Sequence, residues 1–142
     1  CDLTVAAESA SFLLAFARIG LMPDGGSTAS VAASIGRARA MRMALLAEPL
    51  SAREAYDAGL VSHLVDDDGF DAVVTELTER LVAGPPLALA ATKRAVNAAA
   101  YAGLDDALER ERTGQTVLLR TADATEGMRA FAERRTPVFE GE

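Results

Sequence analysis

Asp24 is the residue whose type and setting most invite a chemical reading. It lies in FARIGLMPDGGST (residues 16–28), between a proline and two glycines, ahead of a run of small residues with helical character. A carboxylate on so tight a turn has two readings. It can cap the helix, accepting from backbone amides two or three residues on. It can instead move a proton for a substrate seated against the turn. Gly20, Gly25 and Gly26 suit a backbone that turns tightly and approaches another group closely. His63, the sole histidine, lies in a strand-like stretch with no nucleophile or metal partner near it in sequence, so it reads as structural. Nothing near Cys1, the only cysteine, would activate it as a thiolate. Lys93 and Arg94 read as a solvated face, and Met41 and Met43 as packing. The run Asp66–Gly69 is too short for a calcium loop and reads as a polar turn. No Cys/His/Asp cluster has metal-ligand spacing, so no metal is expected. No glycine-rich phosphate loop appears.

Elements must hold that turn. Cys1–Ala7 has alternating, β-branched character and predicts a short strand, with Ser11–Leu14 a second. After the Gly20–Gly26 turn, Ser27–Ile35 predicts a helix closed by Gly36, and Arg37–Leu46 a second helix with Met41, Ala44 and Leu45 on one face. Ser51 and Glu54 form a capping box that opens a helix through Ala58, stopped by Gly59. Leu60–Val65 predicts a strand, and Phe70–Val82 a long amphipathic helix with Val73, Leu77 and Leu81 at near-helical spacing. Gly84-Pro-Pro86 breaks it. Leu87–Ala100, Leu104–Leu119 and a last helix to about Arg134, capped by Asp123 or Thr125, follow. Two short strands and five or six helices cannot close a sheet of their own, so the N-terminal strands want partners that are absent from this chain.

Half of the 142 residues are hydrophobic and a quarter are charged, a globular rather than disordered balance. The net charge of −7 argues against non-specific nucleic-acid binding, which needs a cationic surface. A single cysteine allows no disulfide within the chain and suits a cytoplasmic setting. No apolar run approaches the roughly 20 residues of a membrane span. The opening CDLTVAAES, with no methionine and no leader, reads like the middle of a longer sequence.

Four pieces, in order, carry a resemblance: CDLTVAAESASF, IGLMPDGGST, GRARAMRMALLAEPLSAREAYDAGLVSHLV and ADATEGMRAFAERRTPVF. Together they resemble the C-terminal half of the crotonase superfamily, the enoyl-CoA hydratase/isomerase family. LERERTGQ and LRTADATEGMRAF look most like its ring-modified phenylacetyl-CoA isomerase branch. The resemblance implies an α/β crotonase (ClpP-like) fold. Two or three short strands of an incomplete ββα spiral (residues 1–69) would precede a mostly helical trimerisation region (70–142). It also implies a first half, absent from this chain, that bears both N–H donors of an oxyanion hole for a thioester enolate. This chain would then be a fragment, or its first half a separate chain, and alone it would be inactive.

By that resemblance Phe16 stands where hydratases keep a second glutamate, which puts hydration in doubt. Asp24 matches an aspartate that some members place in the turn, as isomerases do. A dehalogenating branch does likewise but expects a nearby Trp, which this chain lacks. The implied reaction is double-bond or ring isomerisation of an acyl-CoA, as in phenylacetate catabolism, with hydration as the alternative. Phe16, Gly20, Met22, Gly25 and Gly26 would contact the acyl group. Phe131 and Arg134 would clasp the CoA adenine and phosphates, often across a subunit boundary; otherwise they are a core Phe and a solvated helix-end Arg. No cofactor beyond the CoA thioester substrate is implied, and a homotrimer or hexamer is. A reading of another class is a non-catalytic remnant that assembles through the helices from Phe70 onward.

Overall fold

Glycine, proline and short polar side chains punctuate this chain into short elements. The computed structural model describes residues 1–142. In order they form β1 (Val5–Ala7), β2 (Ser11–Phe12), a 3-10 turn (Phe16–Ile19), α1 (Ser27–Ile35), α2 (Arg37–Leu46), β3 (Leu50–Ser51) and α3 (Ala52–Ala58). Then come β4 (His63–Val65), a 3-10 turn (Asp67–Gly69), α4 (Phe70–Ala83), α5 (Pro86–Ala100), α6 (Leu104–Leu118) and α7 (Ala122–Glu133). Gly36 separates α1 from α2. The capping box at α3 is reciprocal: the Ser51 hydroxyl accepts from the Glu54 amide, and Glu54 Oε2 accepts from the Ser51 amide at 3.0 Å. Pro86 opens α5 at a position where its missing N–H leaves no bond unmade.

The strands are shorter than their sequence patterns, because each extends only as far as its partner. Both N-terminal strands, expected to want partners absent from this chain, find one within it: β1 pairs in parallel with β4, Val5 opposite His63, so Cys1–Leu3 have no opposing residues. The strand predicted over Leu60–Val65 starts at His63, because the Leu60 and Val61 amides both turn back to the Ala55 carbonyl and finish α3. β2 stops at Phe12 because its antiparallel partner β3, unforeseen from sequence, has two residues. In α2 the buried residue is Met43, while Met41 and Leu45 are exposed. The last helix is capped by Thr121, not by Asp123 or Thr125: the Thr121 hydroxyl accepts from the Ala124 amide at 3.0 Å. The Asp123 carboxylate instead accepts from the Glu140 and Gly141 amides of the C-terminal segment.

The residues divide into two compact units that interleave along the chain. Residues 1–12 and 50–102 form the first. Its core is Ala6, Ala52, Ala55 and Val61, with Phe12, Leu50 and Leu64 packed around them. Residues 13–49 and 103–142 form the second, which carries the 16–28 turn. Its buried hydrophobic side chains are mostly small: Ile35, Met43, Ala47, Ala107, Ala124 and Ala130. Small side chains let backbones approach closely. In α7, a Cβ on Gly127 would lie 2.6 Å from Ile19 Cα, and one on Gly20 would lie 3.0 Å from the backbone of Asp123 and Ala124. The 3-10 turn therefore rests directly on the backbone of α7. Arg18 ties the same turn to the end of α2, donating to the Ala47 carbonyl at 2.7 Å.

Candidate active site

The 3-10 turn ends at Gly20, whose left-handed backbone redirects the chain into Leu21–Asp24. Gly25 and Gly26 also have positive φ, 64° and 81°, which L side chains rarely adopt. Their two-residue reversal delivers the chain into α1 and leaves the Asp24 side chain exposed. The Ser27 amide donates to the Asp24 carbonyl at 3.1 Å and closes the turn.

The first turn of α1 has no cap from its own sequence, since its N-cap residue is Gly26. The missing acceptor comes from α6. Glu111, only 2% exposed, accepts from the Gly26 amide at 2.6 Å, from the Thr28 amide at 3.0 Å and from the Thr28 hydroxyl. Burial pushes its carboxyl pKa up. The Thr28 hydroxyl, the Gly26 and Thr28 amides and the charge of Arg110 outweigh that and hold it below the ordinary glutamate value. The positive end of the α1 dipole favours the same ionised form.

The Asp24 carboxylate does not take the helix amides. One turn along α6, Gln115 Nε2 donates to Asp24 Oδ2 at 2.8 Å, and Gln115 Oε1 accepts from the Met22 amide at 3.3 Å. Gly114 makes room for that approach, since a Cβ there would overlap Met22 Sδ. Asp24, Gly25, Leu108, Glu111, Arg112 and Gln115 face a recess of about 360 Å³. A second, apolar cavity of about 280 Å³ runs along α1 and α2, with Leu14, Pro23, Val31 and Met41 in its walls. The Ser27 hydroxyl, also in its lining, is buried without a hydrogen-bond partner.

Phe16, Gly20, Met22, Asp24, Gly25 and Gly26 thus lie on one continuous segment, braced by α6 and α7. Phe16 is half-buried, and its carbonyl accepts from the Leu21 amide. Phe131 and Arg134 lie elsewhere. Gly20 meets the start of α7, and Phe131 is seven residues beyond Ala124, about 10 Å along the axis. Phe131 is 78% exposed, so it is not a core residue of this chain. Arg134 ends α7 in a left-handed conformation. Its neighbour Arg135 is committed to Glu126 and Glu133. His63 is half-buried in β4, its Nδ1 3.0 Å from the Ser62 hydroxyl. No group of three or more His, Cys, Asp or Glu side chains is placed to hold a metal ion, and no helix is long and apolar enough to cross a membrane.

Glu111 and Gln115 are the site residues that sequence reasoning missed. A signal existed. Leu104, Ala107, Glu111, Gln115 and Leu118 follow a three-to-four-residue stride, so two polar residues stand in what is otherwise an apolar stripe.

Comparison with known proteins identifies relatives over nearly the whole chain. The profile of the enoyl-CoA hydratase/isomerase family matches residues 1–142. The chain is 40% identical over 140 residues to a 1,2-epoxyphenylacetyl-CoA isomerase of Escherichia coli K12, covering 99% of this chain and 53% of that protein. It is 37% identical over 141 residues to a 2,3-dehydroadipyl-CoA hydratase of the same organism, covering 99% and 55%. The crystal structure of an enoyl-CoA hydratase from Mycobacterium avium subsp. paratuberculosis K-10 superposes with a TM-score of 0.96 at 54% identity, covering 99% of this chain and 57% of that one. The architecture is that of the crotonase fold. The chain spans about half the length of the curated relatives it matches.

Proposed function

The chain belongs to the enoyl-CoA hydratase/isomerase family, and on that premise we propose that it serves acyl-CoA isomerisation, with Asp24 as the acid/base. The observation that carries this reading is the division of labour at the start of α1. Glu111 takes the helix amides, and Asp24 remains exposed on the turn with a single side-chain partner. A carboxylate relieved of capping is available to a substrate.

In the proposed reaction, Asp24 removes a proton from the carbon α or γ to the thioester carbonyl. The bonding pair flows into the carbonyl and makes an enolate. The same carboxyl then returns the proton at a different carbon, in the ring case after the enolate has rearranged the strained ring, so no atom is gained or lost. The enolate oxygen needs N–H donors, which the family resemblance places ahead of Cys1. Phe16 carries no proton and supplies an apolar wall. Phe131 and Arg134 are proposed to hold the CoA adenine and phosphates, with Arg134 as a planar, permanently charged fork. The clasp is proposed to be completed across a trimer, as the family resemblance implies.

Asp24→Asn tests the reading in the protein as its own gene encodes it. Turnover of a 3-enoyl-CoA to its conjugated isomer should fall about 10²–10⁴-fold, the usual worth of a positioned acid/base, while CoA binding persists. Turnover retained by the variant overturns the assignment. Hydration stands as a second reading because several relatives carry hydratase names. Incorporation of solvent oxygen into the product distinguishes it.

A further inference from the structure

We propose that Gln115 is the positioning residue for Asp24, fixing which carboxylate oxygen carries the proton; the inference rests on the isomerase reading above. Gln115 is 8% exposed, and both ends of its amide are engaged. Its Oε1 faces the Met22 amide at 3.3 Å, a donor that only an oxygen can satisfy. That contact dictates the amide's orientation. A flipped amide would set NH2 against N–H at one end and a carbonyl oxygen against a carboxylate at the other. Nε2 therefore points at Asp24 Oδ2, 2.8 Å away, and it can only donate. Oδ2 is held as an acceptor, and the transferable proton travels on Oδ1.

Two further contacts make the arrangement rigid. Gly114 lets the Met22 side chain sit against α6. Glu111, one turn before Gln115, occupies the Gly26 and Thr28 amides, so Asp24 cannot swing onto them. The base is aimed before substrate arrives, which is what a near-attack geometry requires.

The test uses the protein as its own gene encodes it and a short-chain 3-enoyl-CoA, read by absorbance of the conjugated product. Gln115→Met, similar in shape but without the amide, should lower kcat roughly 10- to 100-fold with KM within about twofold, the pattern of a misaimed base rather than lost binding. Gln115→Glu keeps the acceptor for Met22 and replaces the donor with an oxygen. Its kcat relative to the unsubstituted protein should be depressed at neutral pH and rise as pH falls, when the introduced carboxyl gains a proton to donate. The charged groups lining that recess, Asp24, Glu111 and Arg112, are common to both proteins. A kcat for Gln115→Met within about threefold of the original, a loss carried by KM, or no relative recovery of Gln115→Glu in acid overturns the positioning role and leaves the isomerase reading standing. If Gln115→Met fails to fold, the Gln115→Glu profile decides. Absence of turnover in the unsubstituted protein overturns the isomerase reading, and this inference with it.

Discussion

Glu111 on α6 and Glu126 on α7 each gather several hydrogen-bond donors, yet they do different jobs. Glu111 is buried, and its donors are two backbone amides and a hydroxyl. Glu126 on α7 is partly buried, held by the more exposed Arg129 and Arg135 and by the Val138 amide. Both carboxyls are held below the ordinary glutamate value. For Glu126 the Arg135 and Arg129 contacts lead, while for Glu111 burial is the largest effect and the Thr28 hydroxyl and the Gly26 and Thr28 amides, helped by the charge of Arg110, must overcome it. The lesson is that counting partners does not rank them. A donor withdrawn from water has no substitute when its acceptor is removed, whereas an exposed arginine returns to solvent at little cost.

Removing the buried member is the sharpest way to test that contrast. Glu111→Ala leaves the buried Gly26 amide and the part-buried Thr28 amide without their acceptor. It should destabilise the fold by about 3 kcal/mol, the worth of charged hydrogen bonds plus unsatisfied donors, measured by urea denaturation. The effect has a pH signature. A native carboxyl below its ordinary value contributes stability that is fully present above the unfolded value of 4.5 and lost as pH falls through the lower native one. The gap between the original and Glu111→Ala should therefore hold steady at neutral pH and narrow on the acid side. A gap that ignores acidification would mean the carboxylate is not the stabilising species.

Gly127 is the residue next to Glu126, but it faces inward, so it compares the two sides of one helix. Gly127→Ala sets a Cβ 2.5 Å from the Ile19 carbonyl carbon, where backbone rather than a flexible side chain must yield. Overpacking of this kind should cost about 2 kcal/mol, despite alanine's higher helix propensity. An unchanged urea midpoint would show that the 3-10 turn does not rest on α7 as described.

Much of this fold is legible in the sequence because its signals are local. The start and end of α1, the start of α2, both halves of the Ser51–Glu54 box and the Gly59 stop are written within a few residues of where they act. The Asp24 turn is equally readable from Pro23, Gly25 and Gly26. What escaped depends on partners distant in sequence. Glu111 lies 85 residues from Gly26, and Gln115 lies 91 from Asp24. Strand ends were overestimated for the same reason, since a strand stops where its partner does and β4 offers three residues to β1. The cap of α7 was misplaced by a smaller margin. Thr121, Asp123 and Thr125 are all competent cap types, and Thr121 wins while the Asp123 carboxylate binds the returning C-terminal amides.

The smallest expected effect falls on the surface network. Arg135→Met removes the guanidinium that bridges Glu126 and Glu133 but leaves Arg129 on Glu126. Both ends of the lost interaction regain water, and screening already weakens it at physiological salt. The urea midpoint should shift little at low ionic strength and not measurably at high. The C-terminal segment should respond more than the global fold, because Val138 also leans on Glu126 Oε1. Amide exchange localised to Val138 and the residues after it, with α6 and the 16–28 turn unaffected, is the expected pattern. A shift in Arg135→Met as large as that of Glu111→Ala would break the contrast, because it would mean that partner number rather than burial sets the worth of a carboxylate here.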